Sequence, residues 1–300
     1  MPRMAQDRRR TERRNPASRG LDRMRTEAIL RVINREDQKV AAAVGREIPA
    51  ITKAVDAIVS AIRNGGRLLY VGAGTSGRLA ILDASEVPPT YGVSRNVVQG
   101  LIAGGRKAVT GAVEGAEDSV ANGVRDLKAK KLSRKDVVVG IAASGTTPYV
   151  LSALQFARKL GAATIAVTAN RNSPLAQHAK IAISVEVGPE VVTGSTRMKA
   201  GTSQKLVLNM LSTASMVRLG HVYDNLMIDL TLTNAKLLQR GTRILAEASG
   251  AQVSDVEHAL RQSKHDVRVA LTMLKTGTDA RAARARLAVA GGNLRKALGE

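Results

Sequence analysis

Five short runs constrain this chain more than anything else in it. They are RLLYVG (67–72), NVVQGLIAGG (96–105), DVVVGIAASG (136–145), ATIAVTAN (163–170) and IAISVEVG (181–188). A strand with one face in water alternates apolar and polar side chains. These runs are continuously apolar, so both faces must be covered, which predicts a parallel sheet between helical layers. Helical patterns separate the runs, and most runs end in Gly, Ser, Thr or Asn. In an open α/β sheet the ligand binds beyond the carboxyl ends of the strands, so those small polar residues line the expected site.

The 300 residues allow one large α/β domain with a smaller appendage, or two ordinary domains. Residues 1–20 read as a basic flexible tail, with Arg8, Arg9, Arg10, Arg13 and Arg14 its densest cluster. Leu21 to Asn64 carries apolar residues at three- and four-residue steps and predicts helix, ended by Asn64-Gly65-Gly66. A further helix is expected from about Arg197 to Leu219, and another over DNLMIDLTLTNAKLLQRG, residues 224–241. Residues 241–300 turn polar and Ala-rich with Gly-containing breaks, which predicts a small helical bundle. The domain plan is therefore 1–20, 21–240 and 241–300.

Composition excludes several chemistries. With no cysteine, there are no disulfides, thiolate metal sites or thiol nucleophiles. Aromatic residues are 2% of the chain and Trp is absent, so stacking on bases or sugar rings has few side chains to use. No apolar run approaches the ~20 residues of a membrane helix, and the charged N-terminus has no apolar segment behind it. A cytoplasmic protein is the expectation. The net charge of +21 invites a polyanionic partner, but the arginines are spread along the chain. That distribution fits solvated surfaces and an anionic substrate better than specific nucleic-acid binding.

Three strand-end loops offer anion sites. The first, GAGTSG (72–77), has dinucleotide-type glycine spacing, but no acid follows at the end of the second run, where Gln99 stands. Pro88 and Pro89 are expected to stop the following helix early. Thr75 and Ser76 at that helix start suit a single phosphate or a sugar hydroxyl. The second loop is ASGTTPYV (143–150), where Ser144, Gly145, Thr146 and Thr147 precede a proline suited to the first helical position. Capping needs only one such residue; the surplus suggests an anion cradle. The third is VVTGSTRMKAGTSQK (191–205), with Ser195, Thr196, Arg197 and Lys199 as candidate contacts to an anionic substrate. Gly-Lys-Ser/Thr of a Walker loop follows none of them.

Acidic residues lie nearby. Asp83 and Glu86 are three apart and expected on one helix face, with Glu86 just before the double proline. Glu114, Glu117 and Asp118 form an acidic patch expected on the helix after the second strand. The four histidines adjoin none of the three loops. Carboxylates are therefore the candidate proton carriers.

The three loops resemble the SIS fold, which binds phosphosugars. More closely, GAGTSGRLAILDASEVPPTYG, AVEGAEDS, VVVGIAASGTTPYV and VVTGSTRMKAGTSQKLVLNMLSTASM resemble the N-acetylmuramic acid 6-phosphate etherase family, from about Leu21 to the C-terminus. The resemblance implies a mainly parallel five-stranded sheet in a three-layer sandwich, a small UBA-like helical domain at the end, and a homodimer. It implies a lyase that cleaves the D-lactyl ether at C3 of the phosphorylated amino sugar, without metal or nicotinamide. By carry-over Glu86 is the acid for departing lactate and Glu117 its partner, with Ser144, Gly145, Thr146 and Thr147 on the phosphate. Thr75, Ser76, Ser195 and Thr196 make other substrate contacts, and Arg197 or Lys199 meets the lactyl group. Thr146 stands where the family frequently has Arg, and Val87 where it often has Cys. A phosphosugar isomerase, a non-catalytic phosphosugar sensor and a sugar-responsive DNA-binding regulator are the rival readings.

Overall fold

A computed structural model describes residues 10–230, 232 and 234–300. Two helices come first, α1 (Thr26–Gly45) and α2 (Ile48–Arg63), followed by β1 (Leu68–Gly72), α3 (Gly74–Tyr91) and β2 (Val98–Ile102). Then come α4 (Lys107–Thr110), α5 (Val120–Ala129), β3 (Val137–Ile141), α6 (Pro148–Leu160), β4 (Ala163–Thr168), α7 (Pro174–His178), β5 (Ile181–Ser184) and α8 (Lys199–Leu219). A hairpin, β6 (Val222–Tyr223) and β7 (Leu226–Met227), leads to α9 (Ala235–Ser249), α10 (Val253–Gln262), α11 (Val267–Thr276), α12 (Ala280–Val289) and α13 (Leu294–Leu298). The chain forms two compact units, one taking in the chain up to Ala84 with Asn96–Ser212, the other Ser85–Arg95 with Thr213–Glu300.

The first unit is the expected α/β layer structure. Its five strands are all parallel, in the order β2-β1-β3-β4-β5. Every residue of β1 and β3 is buried, which accounts for their unbroken apolar sequences. α2 packs against β1, β3 and β5 through Ile51, Ala54, Val55, Ile58 and Val59, at helical spacing. A separate core unites Leu69, Val71 and Val138 with Leu127 of α5 and Tyr149, Leu154 and Ala157 of α6. Each large aliphatic side chain so buried contributes roughly 1.5–3 kcal/mol.

Three expectations need correction. Residues 10–18 are not a flexible tail: they form short 3-10 turns, with Thr11 and Asn15 buried. Asn15 accounts for this, because its amide donates to Glu36 (2.9 Å) and to the Pro189 carbonyl (3.0 Å), and its Oδ1 accepts from Ala17 N–H. Residues 1–9, with Arg8 and Arg9, lie outside the described residues. Nor is α3 cut short by Pro88 and Pro89; it continues to Tyr91 with both prolines inside it. Each proline removes only one i→i−4 donor, and near the end of a helix few turns remain to be disturbed. The Thr90 hydroxyl, donating to Glu86 O at 2.7 Å, strengthens that last turn. Finally, residues 224–241 are not one helix. The β6–β7 hairpin turns at Asp224, and α9 begins only at Ala235, where Asn234 caps it.

The second unit holds the C-terminal helices around Ile228, Leu245, Val256, Leu260, Ala270 and Leu271. Its helices are punctuated regularly. Asn234, Asp266, Asp279 and Asn293 cap N-termini, while Gly250, Gly277 and Gly299 end helices in the left-handed conformation.

Candidate active site

The strand order places a switch point between β1 and β3, because the chain leaves β1 toward β2 on one side and returns to β3 on the other. The crevice at such a point, beyond the carboxyl ends, is where α/β sheets take their ligands. Gly72 pairs with Ile141 in register, so the β1–α3 junction (73–76, the first turn of α3 included) and the β3–α6 loop (142–147) leave the sheet side by side.

The β3 loop is held from below by the next loop along. Asn170 Nδ2 donates to the carbonyls of Ala143 (3.0 Å) and Ser144 (3.2 Å), and Leu175 N–H donates to Gly145 O at 3.0 Å. Gly145 has φ +70°, and a Cβ there would lie 2.2 Å from Ser173 Oγ, so only glycine fits. The Ser144 hydroxyl accepts from Thr146 N–H (3.2 Å) and from the Thr146 hydroxyl (3.0 Å), which leaves its own proton to donate. Thr147 is the N-cap of α6 but makes no side-chain cap bond, and Pro148 follows at the first helical position. A preorganised, half-exposed loop thus presents the positive end of a 13-residue helix.

The β1 loop meets α8. Ser76 is buried and its hydroxyl donates to Gln204 Oε1 at 2.9 Å, so that proton is committed within the fold. Thr75 stays half-exposed. Thr75 Cγ2 and Thr196 O both lie 3.5 Å from where a Cβ on Gly201 would sit, so the structure brings Thr75 and Thr196 together. Gly77 lets α3 approach β2, because a Cβ there would strike Ile102 Cγ1 at 2.5 Å.

Glu114 and Glu117 share a cavity of about 240 Å³ with Ala73 and Gly74 of the β1 loop. Glu117 lies on a 3-10 turn, Ala116–Asp118, rather than on a helix. The preceding segment is tied down by Arg78, whose guanidinium donates to Val109 O and Gly111 O, both at 2.9 Å. Both glutamates are exposed at the cavity wall.

The third loop differs from expectation. Lys199 does not face an open site: it is 1% exposed, with Nζ 2.5 Å from Glu36 Oε2 and 3.0 Å from Val187 O. The first amides of α8 are occupied by Glu190, whose carboxylate accepts from Lys199 N–H (3.0 Å) and Ala200 N–H (2.9 Å). Burial raises the Glu190 carboxyl above its ordinary value, only partly offset by those two amides and the Lys199 charge. Thr196 O accepts from Gly201 N–H at 2.9 Å. This helix start is filled by protein. Ser195, Thr196 and the exposed Arg197 remain accessible.

Glu86 is exposed on α3. Asp83 does not share that exposure; it is buried, with Ser212 Oγ donating to its Oδ1 at 3.0 Å. Along α3, Glu86 stands twelve residues beyond Gly74, about 18 Å at the usual helical rise. Sequence reasoning missed four buried acids, Glu36, Glu47, Asp136 and Glu190, and took Asp83 for a companion of Glu86 on one helix face. For Asp83 a signal existed: it interrupts the apolar spacing of Ala80, Val87 and Tyr91. For Glu36 and Glu190 the partners are remote, and no local pattern marks them.

Comparisons with known proteins agree with this architecture. Residues 50–158 match the glucokinase regulatory protein N-terminal SIS domain, 119–214 the SIS domain, and 224–291 the C-terminal lid domain of glucokinase regulatory protein. N-acetylmuramic acid 6-phosphate etherases of Yersinia pestis (strain Pestoides F) and Yersinia pseudotuberculosis (serotype O:1b, strain IP 31758) are each 55% identical over 288 residues, covering 96% of this chain and 98% of theirs. A putative phosphosugar isomerase involved in capsule formation from Bacteroides fragilis superposes with a TM-score of 0.50 at 25% identity, covering 66% of this chain and 94% of that one.

Proposed function

The chain belongs to the N-acetylmuramic acid 6-phosphate etherase family, and on that premise we propose the following division of labour for the reaction. The enzyme is a carbon–oxygen lyase that cleaves the D-lactyl ether of N-acetylmuramic acid 6-phosphate, giving N-acetylglucosamine 6-phosphate and D-lactate. Identity of 55% across 96% of the chain is the observation that carries the reaction.

An ether resists direct substitution because alkoxide leaves poorly. Ring opening exposes an aldehyde at C1 and acidifies the C2 proton. A base takes that proton, the C3–O bond breaks as the lactyl oxygen is protonated, and water adds across the resulting C2–C3 double bond. Two carboxylates in opposite protonation states suffice for these transfers. Glu117, in the cavity beside Gly74, is assigned to C2; Glu86 is assigned to the departing lactate and the returning water. The rim of α6 holds the phosphate through Ser144, Gly145, Thr146 and Thr147, with the uncapped helix start supplying the field. Thr75, Ser195, Thr196 and Arg197 are left for the sugar and lactyl groups. Ser76 and Lys199 belong to the scaffold, since both are buried and already bonded.

The distance along α3 favours a homodimer. With about 18 Å of helix between Gly74 and Glu86, Glu86 reaches a sugar held at this rim more readily from a second copy. Light scattering should find a dimer. Glu86→Gln mixed with Ser144→Ala/Thr147→Val, assayed at substrate well below the raised KM of the latter, should show more activity than the sum of the two alone. The lactyl ether marks bacterial wall sugar, so this reading puts the enzyme in amino-sugar recycling, in the cytoplasm where sugar phosphates are retained.

The decisive assay is release of D-lactate from N-acetylmuramic acid 6-phosphate. Glu86→Gln is expected to lower turnover by roughly a thousandfold or more while substrate binding changes by less than about threefold. An isomerase would release no lactate, and a sensor would be indifferent to the substitution.

A further inference from the structure

α3 carries its buried positions at Ser76, Ala80, Asp83, Val87 and Tyr91, steps of three and four along one helix face. Two of the five are polar, and each meets a polar residue of α8: Ser76 donates to Gln204 Oε1 at 2.9 Å, and the Ser212 hydroxyl shares its one proton between Asp83 Oδ1 and Leu208 O of its own helix, both at 3.0 Å. Both pairs rise together in sequence, so α3 and α8 run parallel here, with seven residues of one set against eight of the other.

These contacts are costly. Burial holds the Asp83 carboxyl above its ordinary value, with the polar groups of Tyr70 and Ser212 and the charge of Lys205 drawing it back only in part. Tyr70, wholly buried on β1, is raised by its burial and then by the nearness of Asp83. Yet Tyr70 Oη, Asp83 Oδ2 and Gln204 Nε2 have no partner at hydrogen-bonding geometry among the described residues. An apolar seam would avoid those penalties and be more stable. What a buried polar pair supplies that apolar side chains do not is register: Ser212 can fall back on Leu208 O of its own helix, but the Asp83 carboxylate and the Ser76 hydroxyl keep these partners in one alignment only. Apolar residues at three- and four-residue spacing pack almost as well after a slip of one turn, which would carry every residue of α3 about 5 Å along its axis.

We infer that Ser76–Gln204 and Asp83–Ser212 lock the register of α3 against α8, and that Asp83 is thereby the positioning residue for Glu86, one turn further along the same helix. The lock lies beside two residues of the proposed machinery, Thr75 next to Ser76 and Glu86 three residues past Asp83, which the dimer reading assigns to two different sites. The inference rests on the assignment of Glu86 made above.

The test replaces the lock with apolar packing and reads position and turnover separately. Asp83→Leu/Ser212→Ala should remain folded, with an unfolding midpoint equal to or above that of the parent. Its kcat for D-lactate release should fall between about 10- and 100-fold, as small misplacements of reacting groups do, with KM changed less than about threefold. Asp83→Asn keeps an acceptor for Ser212 and should stay within about threefold of the parent kcat. The chain has no cysteine, so Leu82→Cys/Thr202→Cys, both at exposed positions, takes spin labels cleanly. Their distance distribution should be narrow in the parent and broaden or shift in the apolar double variant. Should that variant not fold, Ser212→Ala alone, which removes one hydroxyl, carries the same readouts with a smaller loss of kcat. Parent-like kcat together with an unchanged label distance overturns the inference. So does an Asp83→Asn enzyme as impaired as the double variant, which would assign the role to the acid's proton. Glu86→Gln assayed in parallel separates the two levels: if it still turns over, the assignment of Glu86 fails, and the label distances alone judge the lock.

Discussion

α6 and α8 start after loops that read alike, Ser-Gly-Thr-Thr-Pro in one case and Gly-Ser-Thr-Arg-Met-Lys in the other. Their N-termini are in opposite states. α6 begins at a cap without a side-chain bond, and its loop is braced from behind by Asn170 and Leu175. α8 begins against the buried carboxylate of Glu190, and the lysine of its loop is drawn inward to Glu36. One helix start carries no side-chain cap bond and the other is spent on the fold. A Gly-Ser/Thr turn before a helix thus signals an N-terminus, while its vacancy depends on residues elsewhere in the chain.

The contrast can be broken at either end. The largest effect is expected at α6: Ser144→Ala/Thr147→Val should raise KM about 10- to 100-fold, the loss of one or two hydrogen bonds to a charged phosphate. The unfolding midpoint should stay within a few degrees. Inorganic phosphate should inhibit this variant less than the parent.

At α8 the pattern should invert. Glu36→Gln leaves Lys199 buried against a neutral partner and should cost about 3 kcal/mol in denaturant unfolding, with KM unchanged. The same pair gives a pH signature. Burial by itself would raise the Glu36 carboxyl, but bonds from Lys199, Lys39 and Asn15 prevail and bring it from 4.5 to about 2. A carboxyl so lowered adds stability above its unfolded value and loses it as protons bind to the folded form. Parent stability should therefore fall between pH 4.5 and about 2, and the Glu36→Gln protein should lack that part of the decline.

Glu190→Ala should be milder, at about 1–2 kcal/mol for a lost helix cap, again with little change in KM. A rise in KM comparable to that at α6 would mean that α8 faces the substrate after all. The smallest effect is expected in the second unit. Asp266→Ala removes the acceptor for Val269 N–H at 3.0 Å and should cost about 1 kcal/mol, leaving D-lactate release unchanged.

Much of this molecule is written locally. The unbroken apolar runs determined a sheet covered on both faces, and their alternation with helical patterns made it a parallel one. The glycine and hydroxyl residues at their ends determined where the strand-end loops would lie, and Asx caps and left-handed glycines among the last five helices can be read one by one. Tertiary structure decided what those loops are free to do. Lys199 looked like a substrate contact until Glu36, 163 positions away, was found beside it. Asp83 looked like a companion of Glu86 until it proved to face Ser212. The double proline looked like a stop, yet α3 runs through it to Tyr91. The reason is common to all three. Period and turn chemistry act over a few residues and leave a mark at their own positions, whereas the pairing of a buried charge depends on which distant segment folds against it.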